Sequence, residues 1–214
     1  MVSVIIPAHN ESKRIAPIIR SAQKHTDEVL VIDDGSTDGT REVVETLGSR
    51  VVENQYGKGY VGALRTGFKE VNGDIVVTLD ADGEHDPGGI PRLVTPILEL
   101  RANLVLGKRQ KTPRVSKGFI NWLTNLKVKI VDSGTGLRAM DKELAIKLQL
   151  KGKCTCGILV LEANRYGATI VEVPITICII AKERKIAWHH VWQVFFVLGE
   201  LIKPCYKNKN VKGR

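Results

Sequence analysis

Five short apolar runs, each closed by a polar cluster and followed by a stretch with helical spacing, constrain this chain more than any other feature. The runs are VSVIIPA (residues 2–8), EVLVIDD (28–34), SRVVEN (49–54), DIVVTLD (74–80) and NLVLG (103–107). Between them lie amphipathic segments. Ser12 is placed to cap a helix reaching about His25, and Thr37 or Asp38 to cap one reaching about Leu47. KGYVGALRTGFKEV has apolar residues at Val61, Leu64 and Phe68, and GGIPRLVTPILELR reads as a fourth helix. Apolar strands alternating with such helices predict an α/β fold, with a mostly parallel central sheet and helices on both faces. In these sheets ligands bind at the carboxyl ends of the strands. That rim would gather Asp33, Asp34, Lys58, Asp80, Asp82 and Arg109.

No repeat or linker divides the 214 residues, a length suited to one α/β domain. The expected division is a domain over 1–180 and a C-terminal helix with a basic tail over 181–214. The start, MVSVIIPAHNE, has neither the charged segment nor the cleavage pattern of a secretory signal. No run of about 18 apolar residues predicts a spanning helix. With sparse cysteines, this leads to the expectation of a reducing cytoplasm. Cys154 and Cys156 have no partner pair at zinc-like spacing and read as ordinary thiols.

The formal net charge is +9. Residues 100–131 contain no Asp or Glu, yet hold Arg101, Lys108, Arg109, Lys111, Arg114, Lys117, Lys127 and Lys129. Such a surface either aids solubility or meets anionic partners. Few aromatics accompany the basic residues and no nucleic-acid motif is present, so no nucleic-acid partner is expected.

Against that charge, TLDADGEHDP (78–87) gathers four acids. Side chains two apart on an extended strand share a side. Asp80 and Asp82 would then repel unless a hard divalent ion with oxygen ligands lies between them. A surface acidic turn has the same composition. Asp86, before a proline, reads as the start of the next helix. GKGYVG (57–62) matches a dinucleotide fingerprint, but it follows the third strand rather than the first. Its glycines let the backbone pass close to a ligand, with Lys58 facing the ligand's charge.

In order along the chain, VSVIIPAHNES, VIDDGSTDGT, YGKGYVGALRTG, GDIVVTLDADGEHDP, VLGKR and DSGTGLRAM resemble the motifs of family 2 glycosyltransferases with the GT-A fold. Within these the chain is similar to polyprenyl-phosphate hexosyltransferases of the dolichyl-phosphate mannose synthase type, over roughly residues 2–174. The resemblance implies a nucleotide-sugar site shaped by Pro7, Ala8, Asn10, Glu11, Asp34, Lys58, Gly59, Asp80 and Ala81. It implies Mg or Mn held by Asp80 and Asp82 with help from Glu84, which stands where relatives often have glutamine. Arg109 would lie near phosphate, and Asp132 and Arg138 beside the reacting groups. Glu172 and Pro174 match the family's EVP element. The implied reaction moves mannose or glucose, from GDP-mannose or UDP-glucose, to a dolichyl or polyprenyl phosphate, with inversion. A lipid phosphate is already anionic and calls for cations rather than a dedicated base. Arg138, Lys117, Arg184 and Lys185 are the candidates to hold it. The chain departs from the family after EVPI, where Ile180 and Arg184 replace the usual arginine and serine, and at Ile158, where an acid is usual.

WHHVWQVFFVLGELIK (188–203) predicts a helix with a narrow polar stripe of His189, Gln193, Glu200 and Lys203. Its length of about 24 Å is short of the roughly 30 Å hydrocarbon core. Tryptophans and flanking cations favour the membrane interface, although a core or dimer helix has the same pattern. FINWLTNLKV (119–128) is a candidate second interfacial helix. The expected enzyme is peripheral, on the cytoplasmic face of a membrane. The alternatives are a GT-A transferase with a saccharide or small-alcohol acceptor, and a catalytically lapsed nucleotide-sugar-binding module.

Overall fold

The computed structural model describes residues 1–110, 115–178 and 189–206, with the backbone alone for 115–117 and 189–191. Parallel strands β1 (Val2–Ala8), β2 (Glu28–Asp33), β3 (Arg50–Glu53) and β4 (Ile75–Thr78) alternate with helices α1 (Ile15–Ala22), α2 (Thr40–Thr46) and α3 (Tyr60–Glu70). A short 3₁₀ turn at Pro87–Gly89 leads into α4 (Ile90–Leu98), β5 (Leu104–Arg109) and α5 (Val115–Thr124). Then come β6 (Arg138–Asp141), α6 (Lys142–Lys147), α7 (Ile158–Arg165), β7 (Ile170–Ile175) and α8 (His189–Leu201). The strands form one sheet in the order β3-β2-β1-β4-β6-β5-β7.

Central β1 shows why a continuous apolar run becomes a strand here. Val4 and Ile6 face a layer containing Ile15, Ile19, Val44 and Leu93. Ile5 faces the opposite layer, with Leu64, Phe68 and Leu159. Side chains alternate across the sheet, so burial on both faces demands apolar residues at every position. A smaller cluster of Ile120, Leu123, Leu161 and Val197 joins α5, α7 and α8.

Two strands were not predicted. β6 has only four residues and runs antiparallel to both β4 and β5. RAMD begins with a charge and has too little length for a period to show. β7 contains Glu172 and Pro174, which reads poorly as strand. It is a sheet edge, where a proline's missing N–H costs no ladder bond.

Local corrections follow similar logic. Ser12 does not cap α1, because the Glu11 carbonyl already accepts from Arg14 and Ile15 N–H. The Ser12 hydroxyl instead donates to Asp38 at 2.7 Å. Asp38 also accepts the Thr40 N–H at 3.1 Å, and these bonds, the Thr40 hydroxyl first, hold its pKa down at about 2. Asp86 accepts from Gly88 N–H and starts the 3₁₀ turn, as expected. β4 ends at Thr78, so Asp80 and Asp82 sit on the turn beyond it rather than on extended strand.

The C-terminal helix turns its polar stripe inward. Gln193 and Glu200, two members of the predicted polar stripe, are 0% and 3% exposed. Trp192 and Phe195 are each 63% exposed, with Leu198 and Ile202 also out. Inside, Glu200 forms ion pairs with Arg165 at 2.7 Å and with Lys203. Gln193 Oε1 accepts from Lys153 and Cys154 N–H, at 3.3 and 3.4 Å.

Candidate active site

β6 positions the centre of the site. Because it runs antiparallel, its first residue, Arg138, lies at the rim where β4 ends. Arg138 pairs with Thr78 on one side and Leu106 on the other. Its side chain is 1% exposed and lines a cavity of about 320 Å³. One guanidinium nitrogen donates to Thr155 Oγ1 at 2.7 Å, while Nε and Nη1 have no partner. Around the same cavity stand Pro7, Glu11, Tyr60, Asp80, Ala81 and Asp82. Asp80 Oδ1 and the Tyr60 hydroxyl are also buried and unpartnered. Buried polar groups are nearly always hydrogen-bonded. Several orphans around one hollow, cationic on one side and acidic on the other, mark a site for a charged ligand. Burial, and next the charge of Asp80, push the Tyr60 pKa well above the ordinary tyrosine value, so its hydroxyl remains a donor.

Asp80 is held by close packing. A Cβ on Gly136 would lie 1.9 Å from Asp80 Oδ2. The Gly136 N–H donates to His85 Nε2 at 3.2 Å, and its carbonyl accepts from Thr78 at 2.9 Å. Burial lowers the His85 pKa, leaving a neutral ring as acceptor. Gly136→Ala is therefore expected to push Asp80 out of place and lower turnover about 10²-fold with the fold retained. Parallel transfer assays and circular dichroism check this.

The nucleotide-side residues form a lattice of loop contacts. Asp34 accepts the Gly59 N–H at 2.7 Å and Asn54 at 2.7 Å, tying the loop after β2 to the start of α3. Its own N–H donates to the Ala8 carbonyl at 2.9 Å. Asn10, at φ 56°, accepts the Thr37 N–H at 2.9 Å. The Glu11 N–H donates to Thr40 Oγ1 at 2.9 Å. Lys58 is exposed and lines a different hollow.

Arg109 and Asp132 do not line the cavity. They form a buried bidentate pair at 2.6 and 2.8 Å. Glu84 approaches Arg109 at 3.3 Å, so this carboxylate serves a guanidinium here. Burial opposes the charge of Arg109, but its carboxylate partners outweigh that and raise its pKa. Glu172 accepts the N–H groups of Val131 and Asp132 at 2.9 and 2.8 Å, which fixes the pair from behind. Among the described residues no three His, Cys, Asp or Glu side chains converge as a complete cation site. Asp80 and Asp82 supply the acidic wall, and the orphaned Asp80 Oδ1 suits a cation bridged to a ligand.

Reading the residues missed four contributors. Tyr60 looked like helix spacing only, and Thr155 sits in a segment without a motif. Cys154 and Cys156, read as ordinary thiols, line the cavity beside Thr155. The side chain of Lys117, and all of Arg184 and Lys185, lie outside the described residues.

The fold and this cleft define a GT-A glycosyltransferase. The family model for Glycosyl transferase family 2 matches residues 3–157. The chain belongs to glycosyltransferase family 2. UDP-N-acetylglucosamine–dolichyl-phosphate N-acetylglucosaminyltransferase of Methanococcus voltae is 31% identical over 212 residues, covering 82% of this chain and 84% of its own. Undecaprenyl-phosphate mannosyltransferase of Micrococcus luteus is 32% identical over 209 residues, covering 82% of each. The same fold is seen in glucosyl-3-phosphoglycerate synthase from Mycobacterium tuberculosis, crystallised with Mn²⁺, UDP-glucose and phosphoglyceric acid. That structure gives a TM-score of 0.78 at 24% identity, over 94% of this chain and 79% of the other.

Proposed function

We propose that this enzyme moves a hexose from a nucleoside-diphosphate sugar to a polyprenyl phosphate of the dolichyl type, working at a membrane surface. The observation that carries the reading is the outward apolar face of helix α8. Its amides and carboxylates face the protein while Trp192, Phe195, Leu198 and Ile202 face outward. Phe119, Trp122 and Leu126, on and just after α5, add to this surface, and α5 packs directly on α8. Exposed aromatics on two helices that pack together fit an interfacial element. Among the described residues no helix is long and apolar enough to cross a membrane. The same reading has the enzyme peripheral on the cytoplasmic face. The four free cysteines support a reducing compartment.

In this mechanism Asp80 and Asp82 would hold Mg or Mn, which would supply positive charge against the leaving diphosphate. Arg138 offers two unpaired donors to the phosphates or to the charge that develops on them. Tyr60 offers a hydroxyl beside Asp80. Asp34, Asn10 and Glu11 organise the loops that would enclose the nucleoside. The Cys154–Cys156 segment brings no carboxylate to the cavity, whose acids are Glu11, Asp80 and Asp82. That suits an acceptor already ionised, whose phosphate oxygen attacks the anomeric carbon and displaces the nucleoside diphosphate with inversion.

The test is incubation with polyprenyl phosphate, Mn or Mg, and labelled GDP-mannose, UDP-glucose and UDP-N-acetylglucosamine. Label entering the lipid phase from one donor supports the reading. Label found only in water-soluble product would replace the lipid with a saccharide or small alcohol. Trp192→Glu/Phe195→Glu is expected to reduce vesicle flotation at least tenfold, since each aromatic buries about 1.5–3 kcal/mol of apolar surface. Nucleotide affinity should stay unchanged.

A further inference from the structure

A second hollow, of about 590 Å³, lies on the far side of Tyr60 and shares only that residue with the transfer cavity. Lys58, Arg65, Lys151 and Lys153 line it, and no acidic residue does. Among the described residues none of these four forms an ion pair, whereas Arg14, Arg41, Arg50, Arg101, Arg109 and Arg165 all do. The cationic side is also organised. Arg65 lies over the Tyr56 ring at 4.7 Å, and Lys69 donates to the Tyr56 hydroxyl. Like charges gathered around a hollow without counter-charge create a local field that an anion relieves.

The position of this groove narrows the choice of anion. Phe196 of α8 forms one wall, and it is part of the outward aromatic surface. The loop carrying Lys151 and Lys153 is clasped to α8 through Gln193, which accepts from two of its N–H groups. Gly152, at φ 110°, makes the contact close: a Cβ there would lie 2.5 Å from Gln193 Oε1. The lysines are thus fixed next to the surface that would meet acyl chains.

We propose that this groove holds the phosphate headgroup of an anionic bilayer lipid, distinct from the acceptor, and so orients the enzyme on the membrane. The proposal rests on the membrane reading of α8. The test compares flotation on phosphatidylcholine vesicles and on vesicles carrying phosphatidylglycerol, for the full chain and for Lys151→Gln/Lys153→Gln. The unaltered protein should prefer the anionic vesicles, and the preference should shrink with added salt. The double variant should lose about tenfold in partition onto anionic vesicles only. Arg65→Gln alone should lose part of the same preference.

Equal binding of the unaltered protein to both vesicles would overturn the groove while leaving the docking helix standing. Binding to neither would overturn the membrane reading and this site with it. A double variant that keeps the full preference would also overturn the proposal. An equal loss on neutral vesicles would show a general defect and do the same. A matching fall in nucleoside diphosphate affinity, measured by calorimetry without lipid, would reassign the groove to the donor. Loss of the preference on adding inorganic phosphate at constant ionic strength would reassign it to a free anion.

Discussion

Arg138→Met is expected to lower sugar transfer about 10²–10³-fold while the protein stays folded. The side chain is buried, yet only one of its nitrogens has a protein partner, Thr155. Nε and Nη1 sit in the cavity wall with their donors unused. Preorganised donors of this kind act where negative charge develops, in a setting with little water to screen them. Methionine fills much of the same volume without charge. Removing a desolvated cation that lacks a carboxylate partner carries little stability penalty and is often favourable. The two readouts therefore separate: turnover collapses and the melting temperature holds or rises. Wild-type turnover in the variant would remove Arg138 from the reaction.

Arg109→Met is expected to give the opposite pattern. Arg109 and Asp132 are both buried and bonded twice. Removing one partner strips a buried carboxylate of its guanidinium, a loss of about 3–5 kcal/mol. In a chain of this size that is a fall of roughly 6–20 °C in melting temperature. Asp132→Leu combined with Arg109→Met should recover a substantial part, because the buried charges leave together. Thermal denaturation of the two single variants and the double variant measures the coupling directly. A melting temperature within 2 °C of wild type in the single variant, a shift of roughly 1 kcal/mol or less, would show that the pair contributes little.

The contrast between these two arginines shows what the residue string carries. Both stand in recognisable motifs, and both read as phosphate ligands. Only packing separates them, since a motif does not say which carboxylate folds back onto which guanidinium. Strands β1, β2, β4 and β5 were legible because burial on both faces requires unbroken apolar runs. β6 was not, because four residues beginning with arginine carry no period. The acids of the 80–82 turn were legible as a pair, although the extended geometry invoked for them is absent. Tyr60 was hidden in a helix pattern, for its importance depends on Asp80 and Arg138 arriving from elsewhere. Helix α8 was legible as amphipathic. The stripe alone does not say which side the protein takes, and here the protein takes the polar one.

The antiparallel strand β6 has one more consequence. Arg138 is laced into the sheet through its neighbours Thr78 and Leu106, so its backbone is part of the scaffold. Asp80 and Asp82 ride on a turn, and Cys154 to Cys156 lie in a segment anchored to α8 through Cys154. The cleft thus has one pole laced into the sheet and two walls carried on loops. Under the proposed reaction, a preference between donors is expected to depend on Ala81 and the Cys154–Cys156 segment rather than on Arg138.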